Sequence, residues 1–330
     1  MKKNKIVFIV WARNARRSQV FSEKLNAKYY IFRKKTHSKL LSPIIYAYFG
    51  IKTIIRLIKE KPKIIFLEYT QPFNATLIMI YCRLFRCKYV LDGHTGPFMN
   101  KWSKLPFSIL TKKILQNSYI TIVHNEELKQ KLVSKYHNIR FVCLEDPIPN
   151  LRKYYTKAID NKKNVTNKIV VINSFAKDEP LEEVIKATKK LKNITFYITG
   201  DLKKANSKYI NAAESNVHFT GFLSEEEYSK TLQESDAIMV LTTRDYTLLC
   251  GGYEALSLEK PIITSNKKPL KEYFFKGAVF TNNDTKSIIS STKKVYRNIT
   301  ILRKEITELK ITKEIEWNYK LKMLVKELEK

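Results

Sequence analysis

Short runs of β-branched and other apolar residues recur along the first half of the chain, with room for one helix between successive runs. Both faces of these runs are apolar, which is typical of parallel strands buried on both sides. Helical stretches such as NATLIMIYCRLF separate them. The pattern predicts βαβ units in one doubly wound parallel sheet. The predicted strands are 5–10, 28–32, 63–68, 88–92, 119–123 and 140–144.

The pattern restarts after a polar segment rich in Lys and Asn, NLRKYYTKAIDNKKNVTNK. A chain of 330 residues is about twice the usual domain size. We therefore predict an α/β protein of two Rossmann-like domains, residues 1–155 and 156–310, which face each other across a cleft lined by strand-to-helix loops. The second set of predicted strands is 168–173, 194–199, 217–220, 237–242, 261–264 and 278–281.

The tail from about Thr285 onward has strongly helical character. Its last part places four large apolar residues on one helical face, and such a face needs a surface to cover. We expect residues 311–330 to form a C-terminal helix that packs back on the N-terminal domain. The four residues are Trp317, Leu321, Leu324 and Leu328.

The positive charge of the chain is large and uneven. Residues 1–150 hold 28 Lys and Arg against 8 Asp and Glu, whereas residues 151–330 hold 33 against 23. This distribution predicts an anionic partner for the first domain, and apolar helices at 40–58 and 74–85 among basic residues favour a membrane surface. A lysine-rich proteome that raises every surface charge is the alternative.

Location is expected to be cytoplasmic, at the inner face of the cell membrane. The start of the chain has no secretory signal, and the least charged stretch, 40–51, is too short to cross a bilayer. The four cysteines match no common zinc or redox spacing, so we expect reduced thiols. They are Cys82, Cys87, Cys143 and Cys250.

Two adjacent glycines, Gly251 and Gly252, stand between a predicted strand and the helix that begins YEALSL. Backbone N–H groups at a helix N-terminus have no intrahelical partner and bind anions, and glycine lets a phosphate approach closely. Glu254 is expected in the first turn, where it would accept hydrogen bonds from a ribose. A capped helix whose glycines serve only the turn is the alternative.

Five segments of the second half occur in an order that carries a family resemblance: INSFAKDEPLEEVIKA, FYITGD, VHFTGFLSEEEYSK, LTTRDYTLLCGGYEALSLEKPIITS and GAVFTNND. This half resembles the nucleotide-sugar domain of GT-B glycosyltransferases, near the bacterial family 4-like group, in a variant with Ser-Phe-Ala-x-Asp-Glu-Pro and Leu-Thr-Thr-Arg loops. The first half is similar more loosely, through WARNARRS and YVLDGHTGPF.

The resemblance implies that Glu254 binds the nucleotide ribose and that the diphosphate lies over residues 247–252. Where the family has a second glutamate, eight positions earlier, this chain has Tyr246, with Asp245 one place off. Retaining and inverting outcomes both stay open for that reason. The nucleotide-binding candidates are Glu254, Gly251, Gly252, Thr247, Arg244, Lys177, Gly221 and Phe222.

A second departure concerns the charge that neutralises the diphosphate. Ser174 and Glu179 stand where the family usually has an arginine and a lysine. Basic side chains elsewhere must then supply the charge. The candidates are Lys177, Arg244, Arg13, Arg16 and Arg17. No metal or other cofactor is expected, because the loops contain no Asp-x-Asp pair and backbone amides with basic side chains can neutralise a diphosphate.

The DGHTG segment of the first half supplies the catalytic candidates, Asp92 and His94. An inverting transferase needs a general base for the acceptor hydroxyl, and either side chain has suitable chemistry. In retaining relatives the same histidine borders the donor sugar. The alternative is structural, with Asp92 capping a turn beside Gly93 and His94 packed in the interface.

The expected activity is hexosyl or glycosyl transfer from a nucleotide-sugar donor to a glycan or lipid-linked acceptor, in cell-surface polysaccharide or glycolipid synthesis. We expect no nucleic-acid partner. Two alternatives stay open: a nucleotide-sugar epimerase on the same fold, and a GT-B binding or scaffolding protein that has lost its chemistry, for which nucleic-acid binding would show as steep salt dependence.

Overall fold

The structure, a computed structural model, describes residues 5–12, 15–33, 41–99, 101–155 and 165–329, without the side chains of Arg16 and Lys101. The chain forms two compact units. Unit 1 comprises Met1–Pro147 and Trp317–Lys330, and unit 2 comprises Ile148–Glu316. Part of the predicted linker, residues 156–164, lies outside the described residues.

Unit 1 is built on a parallel sheet of six strands in the order β2-β1-β3-β4-β5-β6. The strands are β1 (Ile6–Val10), β2 (Lys28–Ile31), β3 (Ile64–Tyr69), β4 (Lys88–Gly93), β5 (Ile120–Val123) and β6 (Phe141–Cys143). The helices are α1 (Arg16–Lys24), α2 (Ser42–Glu60), α3 (Pro72–Phe85), α4 (Thr95–Met99), α5 (Phe107–Asn117) and α6 (Glu126–Lys135).

Unit 2 is built on a second parallel sheet of six strands, in the order β12-β11-β10-β7-β8-β9. The strands are β7 (Lys168–Val171), β8 (Thr195–Thr199), β9 (Val217–Gly221), β10 (Ala237–Val240), β11 (Ile262–Ser265) and β12 (Ala278–Thr281). The helices are α7 (Leu181–Thr188), α8 (Ser207–Asn211), α9 (Glu225–Gln233), α10 (Cys250–Ser257), α11 (Lys268–Tyr273), α12 (Thr285–Arg297) and α13 (Ile299–Leu328).

The two parallel sheets confirm the predicted α/β fold class, and each of the twelve predicted strands lies within two residues of an observed one. Burial explains why the apolar runs were informative. Every residue of β3, β5, β10 and β11 is buried, because helices cover both faces of a parallel sheet.

Local sequence also sets several helix starts. Ser224 and Glu227 form a capping box at α9, in which the Ser224 hydroxyl accepts from the Glu227 amide and the Glu227 carboxylate accepts from the Ser224 amide. Asp284 caps α12 by accepting from the Ser287 amide at 2.8 Å. These bonds satisfy amides that have no partner within the helix.

The helical tail is divided into α12 and α13 at Asn298. The final residues of α13 contribute Trp317, Leu324 and Leu328 to the buried core of unit 1. The Trp317 ring meets Phe21 edge-on at 6.1 Å, and its Nε1–H donates to the Glu145 carbonyl oxygen at 3.0 Å. Among the described residues, no helix combines the length and apolarity needed to cross a membrane.

Candidate functional site

The sheet order of unit 2 marks one position where a ligand is expected. β7 and β10 are neighbours, and the chain leaves them toward opposite edges of the sheet. Parallel α/β sheets bind ligands outside the carboxyl ends of the strands at such a switch point. Lys177 lies in the loop after β7, and Arg244 and Thr247 lie in the loop after β10. The structure thus brings these predicted residues to the switch point.

Gly221 and Phe222 also lie at the carboxyl ends of the strands of unit 2, but away from the switch point. β9 is the edge strand of the sheet, separated from β7 by β8. Gly221 ends β9 with a φ of +73°, and the Phe222 side chain is 81% exposed. An exposed aromatic ring can stack on a base or a sugar, but these two residues are not brought to the switch point itself.

Gly251 and Gly252 are the second and third residues of α10, as the sequence predicts. A Cβ atom at Gly251 would lie 3.0 Å from both Ile172 Cδ1 and Val240 Cγ2. A Cβ atom at Gly252 would lie 2.5 Å from Phe274 Cζ. The side that lacks a Cβ atom therefore faces the core, so close packing of α10 is itself a reason for glycine at both positions.

Glu254 is the fifth residue of α10, so the expectation of a first-turn carboxylate is wrong. Its Oε2 atom accepts a hydrogen bond of 2.5 Å from the Tyr228 hydroxyl, which comes from α9. A hydrogen bond from a fixed donor restricts the rotation of the carboxylate. Sequence reasoning missed Tyr228, because 26 residues separate it from Glu254 and only the packing of α9 beside α10 joins them.

The loop after β10 is tied to the loop after β7 through Asp178. Arg244 Nη2 lies 2.8 Å from Asp178 Oδ1, and the Thr242 hydroxyl donates to Asp178 Oδ2 at 2.9 Å. The Arg244 side chain is 64% exposed, so its outer face can still meet a ligand. Asp245, one place off the family position, pairs with Lys267 at 2.8 Å.

Tyr246 occupies the family's other glutamate position with a backbone φ of +56°. Such a conformation is uncommon for a residue other than glycine and clusters at functional sites. Next to it, the Thr247 hydroxyl donates to the Asp245 carbonyl oxygen at 3.0 Å. Both features shape the loop between β10 and α10.

The Glu179 carboxylate fills an anion-binding turn in the loop after β7. Its Oε2 atom accepts from the amides of Ser174 at 2.8 Å and Ala176 at 2.9 Å, and its Oε1 atom accepts from the Ser174 hydroxyl at 2.9 Å. Phe175, between the two amides, has a φ of +57°. Amides that converge in this way form a concavity for anions. Here the internal carboxylate of Glu179 occupies that concavity.

Unit 1 carries a cluster of charged side chains at the carboxyl ends of its strands, which we call the buried charge cluster: Arg17, Asp92, His124 and Asp146. Arg17 donates to Asp92 Oδ1 through Nη2 at 2.7 Å and through Nε at 3.1 Å, and to Asp146 Oδ1 through Nη1 at 2.6 Å. His124 lies between the two carboxylates, with each ring nitrogen 3.6 Å from a carboxylate oxygen. Arg17 is therefore neutralised internally, which argues against its predicted role at the diphosphate.

Burial and the positive charge of Arg17 set the pKa values of Asp92 and His124 in this cluster. Asp92 is 0% exposed, and burial alone would raise its pKa, but the Arg17 guanidinium and His124 hold the pKa well below its usual range. Burial and the positive charge of Arg17 lower the pKa of His124. A fully buried carboxylate that stays ionised is poorly suited to accept a proton from an acceptor hydroxyl.

His94 stands at the border of this cluster and is accessible. Its side chain is 36% exposed, while its Nε2 atom is buried 3.3 Å from Glu68 Oε1. Ser18 donates to the other Glu68 oxygen at 2.9 Å, which orients the carboxylate. Burial alone would lower the pKa of His94, but Glu68 outweighs it and raises the pKa above its ordinary value. The contact with Glu68 thus involves Nε2 and not Nδ1.

Sequence reasoning missed Glu68, His124 and Asp146, which end or follow β3, β5 and β6. A polar residue at the end of an otherwise apolar strand is the signal that could have found them. Of the other basic candidates, Arg13 lies outside the described residues, and so does the side chain of Arg16.

Asp92, His94 and His124 each offer one ligand atom within 4.8 Å of the others, which is the spacing of a metal site. The surroundings do not suit a cation, because Asp92 is already bound by the Arg17 guanidinium. That positive charge would repel a divalent ion, so we assign no metal to these residues.

Comparisons with known proteins agree with this architecture. Residues 156–310 match the family Glycosyl transferases group 1. No curated protein sequence matches the chain. Sucrose-phosphate synthase from Thermosynechococcus elongatus is similar in structure, with a TM-score of 0.73, 12% identity and coverage of 97% of this chain and 99% of that one.

Two further solved structures are similar over both units. The Anabaena protein HepE, described in complex with UDP, has a TM-score of 0.72 at 11% identity and covers 97% of this chain and 100% of its own. A UDP-N-acetylglucosamine 2-epimerase of Listeria monocytogenes, described as putative, has a TM-score of 0.61 at 12% identity, with coverage of 91% of both chains. The chain thus has the two-sheet GT-B fold, and its residues 156–310 are similar to the group 1 glycosyl transferases.

Proposed function

We propose that this protein transfers a sugar from a nucleotide-sugar donor to an acceptor hydroxyl, with the donor bound by unit 2. The single observation that carries the proposal is Glu254, which lies on α10 at the switch point of the sheet and is oriented by Tyr228. A carboxylate held in this way is suited to accept hydrogen bonds from the two ribose hydroxyls.

The diphosphate is proposed to lie over residues 247–252, where the loop after β10 enters α10. Lys177 and Arg244 supply positive charge at this end of the sheet, and the exposed face of Arg244 remains available although Asp178 pairs with it. UDP is the first nucleotide to test, because the structurally similar HepE is described with UDP and with UDP-glucose.

Within unit 1, we propose His94 as the acid–base residue and Glu68 as the residue that positions it. The raised pKa of His94 suits a group that exchanges a proton near neutral pH. Asp92 has a different proposed role, which is to hold Arg17 and the strand ends in place.

The acceptor is proposed to be a glycan or a lipid-linked saccharide of the cell surface, and the reaction is proposed to occur at the inner face of the membrane. The excess of basic residues in residues 1–150 supports this location, since anionic lipids attract basic surfaces.

The test is titration calorimetry of UDP and of a panel of other nucleoside diphosphates, followed by product analysis with UDP-sugars and acceptors. We expect binding of one nucleotide to wild type and its loss in Glu254→Ala. Isomerised nucleotide-sugar as the product would indicate an epimerase, and absence of nucleotide binding would indicate a protein that has kept the fold without the chemistry.

A further inference from the structure

Three helices of unit 1 expose apolar side chains, which form rows on two of them. On α2 the row is spaced three or four residues apart, which places its members on one helical face, and each is 49–68% exposed. On α3, Phe73, Ile80 and Leu84 form a second row, and on α5 Ile109 is 68% exposed. The α2 row consists of Ile44, Tyr48, Ile51, Ile55 and Ile58.

These rows belong to one surface because the helices touch. Tyr46 of α2 lies against Phe73 of α3, with ring centroids 6.4 Å apart, and Phe73 lies 6.3 Å from Phe107 of α5. At the other end of the helices, the Tyr81 hydroxyl donates to the Leu57 carbonyl oxygen at 2.9 Å. Exposed apolar side chains that cluster on adjoining helices mark interaction sites on soluble proteins.

The charge of this part of the chain has one sign at the surface. Residues 42–117 contain twelve Lys and Arg and three acidic residues. All three acidic residues, Glu60, Glu68 and Asp92, are buried, with exposures of 5%, 5% and 0%. The described surface of α2, α3 and α5 therefore combines apolar side chains with positive charge and no exposed carboxylate.

A cavity of about 670 Å³ opens where α2 and α3 end. Four cationic side chains line it, from Lys61, Lys63, Arg86 and Lys88, together with one acidic residue, Glu329, so the cationic residues outnumber the acidic one. Its apolar wall includes Ile58 and Phe85, which are also exposed on the helix surface, so the cavity and the apolar rows adjoin.

We propose that the surface of α2, α3 and α5 docks on an anionic lipid bilayer, with lipid phosphate groups in this cavity and the apolar rows in the interfacial region. Apolar side chains on one helical face with basic residues around them are the features of helices that lie on membranes. Lipid docking rests on the proposed membrane location and does not require sugar transfer, so UDP titration and vesicle binding can fail separately.

The experiment is co-sedimentation of the full chain with phosphatidylcholine vesicles and with equimolar phosphatidylcholine–phosphatidylglycerol vesicles. We expect binding to the anionic vesicles only. Ile55→Ser with Leu84→Ser should weaken binding by about tenfold or more, because apolar area no longer leaves water. Lys61→Ala with Arg86→Ala should weaken it about twenty-fold, since each charge near an anionic surface contributes about fivefold.

Matched controls distinguish binding through this surface from nonspecific adsorption to vesicles. Ile311→Ser and Lys203→Ala change exposed residues of unit 2 and should leave vesicle binding unchanged, and melting temperatures should show that every variant is folded. The double variant Lys52→Ala with Lys113→Ala changes the same surface outside the cavity. It should weaken vesicle binding less than Lys61→Ala with Arg86→Ala.

Three results would overturn the proposal. Equal binding to neutral and anionic vesicles would remove the charge requirement, and an unchanged affinity in the surface variants would place the contact elsewhere. The third result would come from sedimentation equilibrium of wild type and of the double variant Ile55→Ser with Leu84→Ser. A wild-type dimer that these substitutions dissociate would identify the apolar rows as an interface between two copies of the chain.

Discussion

The Tyr228 hydroxyl donates a 2.5 Å hydrogen bond to Oε2 of Glu254, which joins α9 to α10 beside the switch point of unit 2. If this carboxylate binds the ribose, Glu254→Ala should weaken UDP binding by about 10-fold to 150-fold, because a hydrogen bond to a charged group contributes about 1.5–3 kcal/mol. Titration calorimetry measures the change. Deoxyribose analogues should discriminate wild type from the variant, whereas equal UDP affinity in both would reject the ribose assignment.

Tyr228→Phe provides the matched variant for this contact, because it removes only the hydroxyl. We expect UDP affinity to fall by less than in Glu254→Ala, by roughly fivefold, since the carboxylate is kept but loses its fixed orientation. A loss as large as that of Glu254→Ala would instead point to direct contact between Tyr228 and the ligand.

His94 should titrate above its ordinary pKa because of Glu68, and Glu68→Gln should lower the pKa of His94. The raised pKa means that the His94–Glu68 contact stabilises the fold fully at pH below the ordinary value near 6.5, and this contribution is lost as the pH rises through the raised pKa. Nuclear magnetic resonance titration of the His94 ring measures this pKa in wild type and in Glu68→Gln.

Activity provides a second readout of the same pair. His94→Ala should lower turnover by about 100-fold or more at nearly constant UDP affinity. Glu68→Gln should move the corresponding limb of the pH–rate profile to lower pH, which loss of packing alone would not do. Unchanged turnover in His94→Ala would return this histidine to a structural role.

Asp92→Asn is expected to act on stability. The change would leave Arg17 buried with one carboxylate partner fewer, and breaking a buried ion pair costs about 3–5 kcal/mol of unfolding free energy. Denaturant unfolding of unit 1 checks this value. A stable Asp92→Asn protein with greatly reduced turnover would show that Asp92 takes part in the chemistry after all.

Gly252→Ala should lower the melting temperature of unit 2, because the new methyl group would lie 2.5 Å from Phe274 Cζ. Overpacking of this kind costs about 1–3 kcal/mol. Gly50→Ala is the matched control: it lies within α2, and the nearest atom to its Cβ position is 3.7 Å away. That variant should gain about 0.5–1 kcal/mol from helix propensity. Weakened UDP binding in Gly252→Ala with full stability would restore the phosphate-access interpretation.

Glu179→Lys should tighten diphosphate binding. The substitution removes the carboxylate from the amides of Ser174 and Ala176 and adds a positive charge to the same loop. We expect about tenfold stronger binding of UDP and no change for uridine, which has no phosphate. Equal effects on both ligands, or none on UDP, would show that these amides do not face the diphosphate.

The sequence by itself determined the two parallel sheets of this protein and the helices that connect them. Burial on both faces of a parallel sheet favours runs of consecutive apolar residues, and IIFL in β3 and AIMV in β10 show this directly. Capping residues such as Ser224 act within three residues of their helix, so the sequence also determined local helix starts. The sequence also located the glycine pair at the N-terminus of α10, but this helix begins at Cys250, so Glu254 lies beyond its first turn.

Only the tertiary structure decided which side chains meet. Arg17 contacts Asp92 across 75 residues and Asp146 across 129, and Glu68 reaches His94 because β3 and β4 are neighbours. Strand order sets these contacts, and no local pattern encodes it. The same holds for the need for glycine at position 252, which depends on Phe274 rather than on the residues beside it. Of the two predicted catalytic candidates, long-range packing thus left His94 rather than Asp92 as the proposed acid–base residue, and it placed Tyr228 beside Glu254.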